Sequence, residues 1–244
     1  MTSVFFTVCD SRLQKGLPNS RNLDFAGFVN SFKRFHPDIE LVIFDEKDMK
    51  KHGVNFYNSK AIFGNLLSDG TNNVVNVDAD HFFFDRCTEI LEADYEVACP
   101  LNFNITDNLV GIKVTSGIHG EANKNWLIDE KMFLQGGLIA SPSKQFWEHY
   151  QYACKYYDKF HCYENDILNL VAYLYPYKIK VLDDNCFYGC SIIGKEKNCY
   201  VENEKIMLEG KPVKAYHFAH GSAKKKYTDI FSKEVCNLIK SIIE

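Results

Sequence analysis

No stretch of this sequence approaches the roughly 18 consecutive apolar residues that a membrane-spanning helix requires. The longest apolar runs, residues 4–9 and 39–44, are strand-sized, so no integral membrane segment is expected. A basic leader is missing too: the opening Met1-Thr2-Ser3-Val4-Phe5-Phe6-Thr7-Val8 puts no positive charge before an apolar stretch too short for a signal peptide. The expected location is cytoplasmic. Charge of one sign is also lacking, because 28 Lys and Arg face 32 Asp and Glu for a net charge of -4. No global field exists to hold a polyanion, which excludes nucleic acid as the expected partner. The nine cysteines form no paired C-x-x-C modules, so free thiols in a reducing compartment are expected. Cys186, Cys190 and Cys199 come nearest to a zinc pattern, but without a clear second ligand pair thiols are favoured. No internal repeat, linker or low-complexity stretch divides the chain.

What is present is a large apolar inventory: 46% of 244 residues are hydrophobic and 14% aromatic, enough for a substantial core and incompatible with disorder. Residues 4–8, rich in β-branched and aromatic side chains, read as a buried strand. Phe25, Phe28, Val29 and Phe32 recur at helical spacing and predict a helix over 22–35, ended by His36-Pro37. A strand at 39–44, a charged loop at 45–51, a helix at 58–68 and a strand at 74–77 follow. This alternation predicts an α/β fold with a mostly parallel sheet flanked by helices. Further along, strands are expected at 95–99 and 132–140, helices at 143–160 and 165–175, and a β-rich part at 178–182, 187–193, 206–208 and 213–218. A final helix spans 227–243. The long stretch 101–130, poor in periodicity, reads as a functional loop.

Ligands of parallel sheets sit at the carboxyl ends of the strands. There the sequence places Asp10 and Arg12 after the first strand, and Asp78-Ala79-Asp80 after the apolar Val74-Val75-Asn76-Val77. Two carboxylates one residue apart suit Mg²⁺ or Mn²⁺ shared with diphosphate oxygens. A solvated acidic turn is the competing reading, and the strand exit favours the metal. Gly136 and Gly137 allow a close approach by substrate or backbone, or mark a bulge. Glu164 and Asp166 stand where either caps a helix. From the residues alone, Lys60 reads as an exposed helix lysine and Asp10 as a cap of the next turn.

The phrase ending in Asp78-Ala79-Asp80 resembles the D-x-D motif of the GT-A glycosyltransferases. Phe133-Leu134-Gln135-Gly136-Gly137-Leu138-Ile139-Ala140, Glu164-Asn165-Asp166-Ile167-Leu168-Asn169, and Tyr216-His217-Phe218 with Gly221 and Lys224 extend the likeness to glycosyltransferase family 8, the glycogenin and lipopolysaccharide galactosyltransferase type. Gln135 and Asn165 stand where that family has Asn and Gln, one residue is inserted between His217 and Gly221, and no Pro-Trp follows Lys224.

The resemblance implies one GT-A, Rossmann-like domain over 1–244, with a nucleotide-binding half at 1–100 and an acceptor and sugar half at 101–244. It implies metal-dependent transfer of a hexose from a nucleoside diphosphate sugar, UDP-linked, to a carbohydrate, glycan or protein- or lipid-linked hydroxyl, with retention of configuration. Asp78, Asp80 and His217 would hold Mn²⁺ or Mg²⁺, with His220 competing for the histidine position. Thr7, Val8, Cys9, Asp10, Arg12, Lys60, Ala79, Gly136, Gly137 and Lys224 would meet the donor, while Gln135, Asn165 and Asp166 would surround the reacting sugar. Two other readings stand beside it: a catalytically silent sugar-nucleotide or carbohydrate binder, and a sugar-phosphate nucleotidyltransferase. The second would need a Gly-rich basic segment after strand one, which Gly16-Leu17-Pro18 matches poorly.

Overall fold

The computed structural model describes residues 1–9, 25–101, 134–155, 164–182, 185–189, 191–218 and 226–244. Its centre is a six-stranded sheet in the order β2-β1-β3-β6-β5-β7. The strands are β1 (Thr2–Val8), β2 (Glu40–Phe44), β3 (Asn72–Val77), β5 (Val97–Cys99), β6 (Leu138–Ser141) and β7 (Ile179–Val181). β1 runs parallel to β2 and β3, and β5 to β7, while β6 opposes both β3 and β5. This reversal positions the site, because Leu138 at the start of β6 lies beside Val77 at the end of β3. The expected α/β sheet, mostly parallel and flanked by helices, is the one found.

Side chains alternate across a strand, and β1 has apolar residues at both parities because both of its faces are covered. Phe5 joins Phe28, Phe32, Val75 and Val77 in one core cluster, and Phe6 joins Val74, Phe63 and Trp147 in the other. Helices α1 (Phe25–Phe35) and α8 (Lys233–Ile243) contribute to the first cluster. Helices α3 (Phe56–Leu67), α5 (Lys144–Cys154) and α6 (Glu164–Leu174) contribute to the second.

Beside the site lies a two-stranded antiparallel sheet of β4 (His81–Phe83) and β11 (Ala215–His217), far apart in the chain, with His81 opposite His217. A three-stranded meander of β8 (Tyr200–Glu202), β9 (Lys205–Leu208) and β10 (Lys211–Pro212) completes the β-rich carboxyl part. Short helices α4 (Thr88–Leu91) and α7 (Tyr227–Ile230) fill in the connections.

Several boundaries differ from expectation for local reasons. The charged segment expected as a loop contains helix α2 (Glu46–Lys51), because Asp45 and Asp48 form a reciprocal capping box. The strand expected at 187–193 is a set of turns around one bridge, Phe187 to Val213, since Gly189 takes φ +57° and breaks the extended path. Of the strand expected at 132–140, the described residues are an isolated bridge at Leu134, a turn at 136–137 and then β6, and residues 132–133 lie outside the description. The last helix is two, α7 and α8, divided at extended Phe231 and restarted by Ser232, whose hydroxyl accepts from Val235 N–H. The loop at 102–130 lies outside the described residues.

Candidate metal and donor site

Asp78 leaves β3 with its N–H still in register, donating to Gly137 O at 2.8 Å. The chain then turns sharply, His81 N–H donating back to Asp78 O at 3.1 Å, so Asp78-Ala79-Asp80 forms the corner between β3 and β4. Phe218 N–H closes onto Asp80 O at 2.9 Å and ties the end of β11 to this corner. Asp80 is buried, whereas the Asp78 side chain is a quarter exposed.

Lys60 on α3 is buried beneath the corner, with Nζ 2.8 Å from Asp78 Oδ1, 2.9 Å from Gly136 O and in contact with Glu164. An ammonium has three N–H donors, and these three acceptors use them all. Lys60 is therefore neither an exposed helix lysine nor, as arranged here, a donor with a hydrogen to spare for phosphate. It locks β3, the turn before β6 and the start of α6 together. Burial alone would strip its charge, but the Asp78 and Glu164 carboxylates reverse the shift and hold its pKa above the ordinary value.

Burial pushes the Asp78 carboxyl up to about 6, Lys60 opposing and the Glu164 charge adding. Burial acts upward on Asp80 as well, yet the imidazole of His217 outweighs it and holds Asp80 below the usual carboxylate range. Counting formal charge, Asp78, Asp80 and Glu164 outnumber Lys60 by two. The deficit matches one divalent cation.

The turn before β6 supports the opposite wall. Gln135 Oε1 accepts from Gly137 N–H at 2.8 Å, and its Nε2 donates to His217 Nδ1 at 3.0 Å. Asn165 Oδ1 accepts from Gly136 N–H at 2.8 Å, and Asn169 pairs with both backbone groups of Leu134. A Cβ on Gly136 would meet Asn165 Oδ1 at 2.5 Å and one on Gly137 would meet the His217 ring at 2.5 Å. Both positions are thus glycine by close approach of protein to protein.

His217 Nε2 stands 2.9 Å from Asp80 Oδ1 and 3.7 Å from Asp78 Oδ2. Two ligands at right angles on an ion with bonds of about 2.1 Å lie about 3 Å apart, so the first spacing suits shared coordination. His81 Nε2 is buried without a hydrogen-bond partner among the described residues, and Asp80 Oδ1 is buried beside His217 Nε2. The unpartnered nitrogen and the oxygen–nitrogen donor set fit a divalent metal. Asp80, His81 and His217 also bring one donor atom each within 4.8 Å of one another.

His81 is the residue that sequence reading missed. Its signal was adjacency to the second aspartate, overshadowed by the apolar run that follows. Thr7, Val8 and Cys9 form the carboxyl end of β1, with Cys9 N–H bonded to Phe44 O at 2.8 Å and the Thr7 hydroxyl buried. Ala79 is buried at the corner. Asp166 belongs to α6, and its side chain lies outside the description. Asp10, Arg12, Lys224 and His220 lie outside the described residues, as does Cys190. Cys186 and Cys199 are buried, with Cys186 Sγ donating to Leu182 O at 3.4 Å.

No family model matches the sequence, and no curated protein matches it. Solved structures do match. The galactosyltransferase LgtC in complex with donor and acceptor sugar analogs aligns at a TM-score of 0.59 and 11% identity over 97% of this chain and 95% of that one. Mouse xyloside xylosyltransferase 1 aligns at 0.55 and 10% identity over 89% of this chain and 97% of that one. The glycosyltransferase GlyE of Streptococcus pneumoniae aligns at 0.56 and 11% identity over 99% of this chain and 60% of that one. Sheet, flanking helices and strand-rich carboxyl part together identify the architecture of this chain as the GT-A fold of the nucleotide-sugar glycosyltransferases.

Proposed function

We propose that the chain is a metal-dependent glycosyltransferase that moves a hexose from a UDP-sugar to a hydroxyl of a carbohydrate, glycan or protein- or lipid-linked acceptor, with retention of configuration. The observation that carries this reading is the corner Asp78-Ala79-Asp80. It stands at the carboxyl end of β3, faces His217, and retains formal negative charge after Lys60 is counted, in a fold shared with sugar-transferring enzymes.

Asp78, Asp80 and His217 hold Mn²⁺ or Mg²⁺, which supplies positive charge to the donor diphosphate as it departs. Residues 1–100 bind the nucleotide: Thr7, Val8 and Cys9 offer backbone groups, and Asp10 and Arg12 meet base or phosphate. Residues 101–244 hold sugar and acceptor, with Lys224 on the diphosphate. Gln135, Gly136, Gly137, Asn165 and Asp166 line the hexose. The bond between the anomeric carbon and the diphosphate oxygen breaks, the bond to the acceptor oxygen forms on the same face, and the acceptor proton passes to the departing phosphate. Asn165 serves by fixing the turn, because its carbonyl oxygen is held by Gly136 N–H. Lys60 keeps Asp78 and Glu164 in place without reaching the donor. No described helix is long and apolar enough to cross a membrane.

The test is a thermal-shift panel of nucleoside diphosphates and their sugars with and without Mn²⁺. Ligands that bind the native state raise the midpoint by mass action. Stabilisation by UDP that requires Mn²⁺ and disappears in Asp80→Asn is the expected result, followed by detection of sugar transfer. Binding without turnover of any sugar nucleotide identifies a silent binder, and no shift with any nucleotide overturns the reading. NMR of the first-formed product decides retention.

A further inference from the structure

The described residues contain two histidines at the corner, and their hydrogen bonds assign them different proton positions. His81 Nδ1 lies 3.0 Å from Asp78 O. A carbonyl only accepts, so this nitrogen carries the proton and Nε2 carries the lone pair. That Nε2 is fully buried and has no partner among the described residues. A ring whose one N–H is fixed by a backbone carbonyl, leaving the other nitrogen open, is the arrangement in which histidine ligates metals.

His217 is held the other way. Gln135 Oε1 must face Gly137 N–H, which orients the amide and turns its NH₂ onto His217 Nδ1. In the neutral ring the proton then sits on Nε2, towards Asp80. For His217 to offer that nitrogen to a metal, Gln135 must rearrange. His81 needs no change of tautomer.

We propose that His81 is itself a metal ligand, so that the motif of this chain is functionally Asp78-Ala79-Asp80-His81 and its nitrogen donor follows directly on the second aspartate. The proposal rests on the metal-dependent reading above and deepens it. Nitrogen from His81 beside the Asp80 carboxylate favours Mn²⁺ over Mg²⁺, because imidazole suits the borderline transition ions better than the hard alkaline-earth ion. The stack of the His81 ring on His217, with centroids 4.2 Å apart and planes at 13°, holds the donor in place.

Electron paramagnetic resonance of Mn²⁺ added to the full chain, with UDP present, reads the site without turnover. Wild type is expected to show ¹⁴N modulation from coordinated imidazole. His81→Gln is expected to weaken Mn²⁺ binding by about 100-fold and to reduce the modulation, while circular dichroism reports whether the variant is folded. Should it not fold, wild-type protein labelled with ¹⁵N-histidine and titrated with Zn²⁺ gives the same decision. A shift at the Nε2 of the ring whose Nδ1–H bonds to Asp78 O supports the proposal, and its absence overturns it. Mn²⁺ affinity and ¹⁴N modulation unchanged in His81→Gln, yet lost in Asp80→Asn, overturn the role of His81 and leave the metal reading standing. No Mn²⁺ binding by wild type overturns both.

Discussion

His36 and His81 are both fully buried and both stacked on a ring, Phe32 in one case and His217 in the other. They differ in what their nitrogens meet. At the end of α1, His36 has Nδ1 on Phe32 O at 3.3 Å and Nε2 accepting from Cys87 N–H at 3.1 Å, so both nitrogens are satisfied by backbone. At the sheet edge, His81 has one nitrogen satisfied and one without a partner among the described residues. Buried polar groups are nearly always paired, so the pair of histidines separates a structural role from a functional one within a single chain. Burial lowers the pKa of both, to about 4 for His36 and well below the ordinary value for His81.

The sharpest contrast is expected at the functional end. Asp80→Asn should lower sugar transfer by about 10³-fold while leaving the thermal midpoint within a few degrees of wild type; steady-state kinetics beside calorimetry checks both. An unchanged rate would return the aspartate to an acidic turn. Lys60→Met should be the costliest for folding. It leaves the partly buried Asp78 and Glu164 side by side without their cation, at about 3 kcal/mol by urea unfolding, and a loss below 1 kcal/mol would contradict the lock described here.

At the structural histidine the signature is pH dependence. Between pH 6.5 and about 4 the unfolded chain takes up a proton that native His36 refuses. Stability from this group is complete above pH 6.5 and is lost as pH falls towards 4, by about 3 kcal/mol in all. His36→Phe should remove that slope when urea midpoints are compared across the range, and an identical slope in both proteins would assign it elsewhere. The smallest effect is expected from Gly137→Ala, whose Cβ would meet the His217 ring at 2.5 Å. A loss of about 1–3 kcal/mol with weakened Mn²⁺ binding is expected, and a variant with native metal affinity would show that the ring can give way.

Much of the fold was legible because its signals are local. β1 declared itself by five consecutive strand-forming residues, and α1 by Phe25, Phe28, Val29 and Phe32 on one face. Helix α2 was missed because its stability comes from a capping box and charge placement, with no buried face to leave a periodic trace. Asp78 and Asp80 were visible from their place after an apolar strand. Their partners were not, since Lys60 precedes Asp78 by 18 residues and Glu164 is 104 residues from Lys60.

The sequence by itself determined most of the strands and helices of the central sheet, and that paired carboxylates leave β3, because those choices depend on side-chain periodicity and hydrogen bonds within a few residues. Only the tertiary structure decided that Lys60 lies against Asp78, Gly136 O and Glu164, that Gln135 and Gly137 orient His217, and that His81 keeps an open nitrogen. Those outcomes follow from the reversal of β6 against β3 and the pairing of β4 with β11. The chain reversals set which charges and donors become neighbours, and no local pattern encodes that neighbourhood.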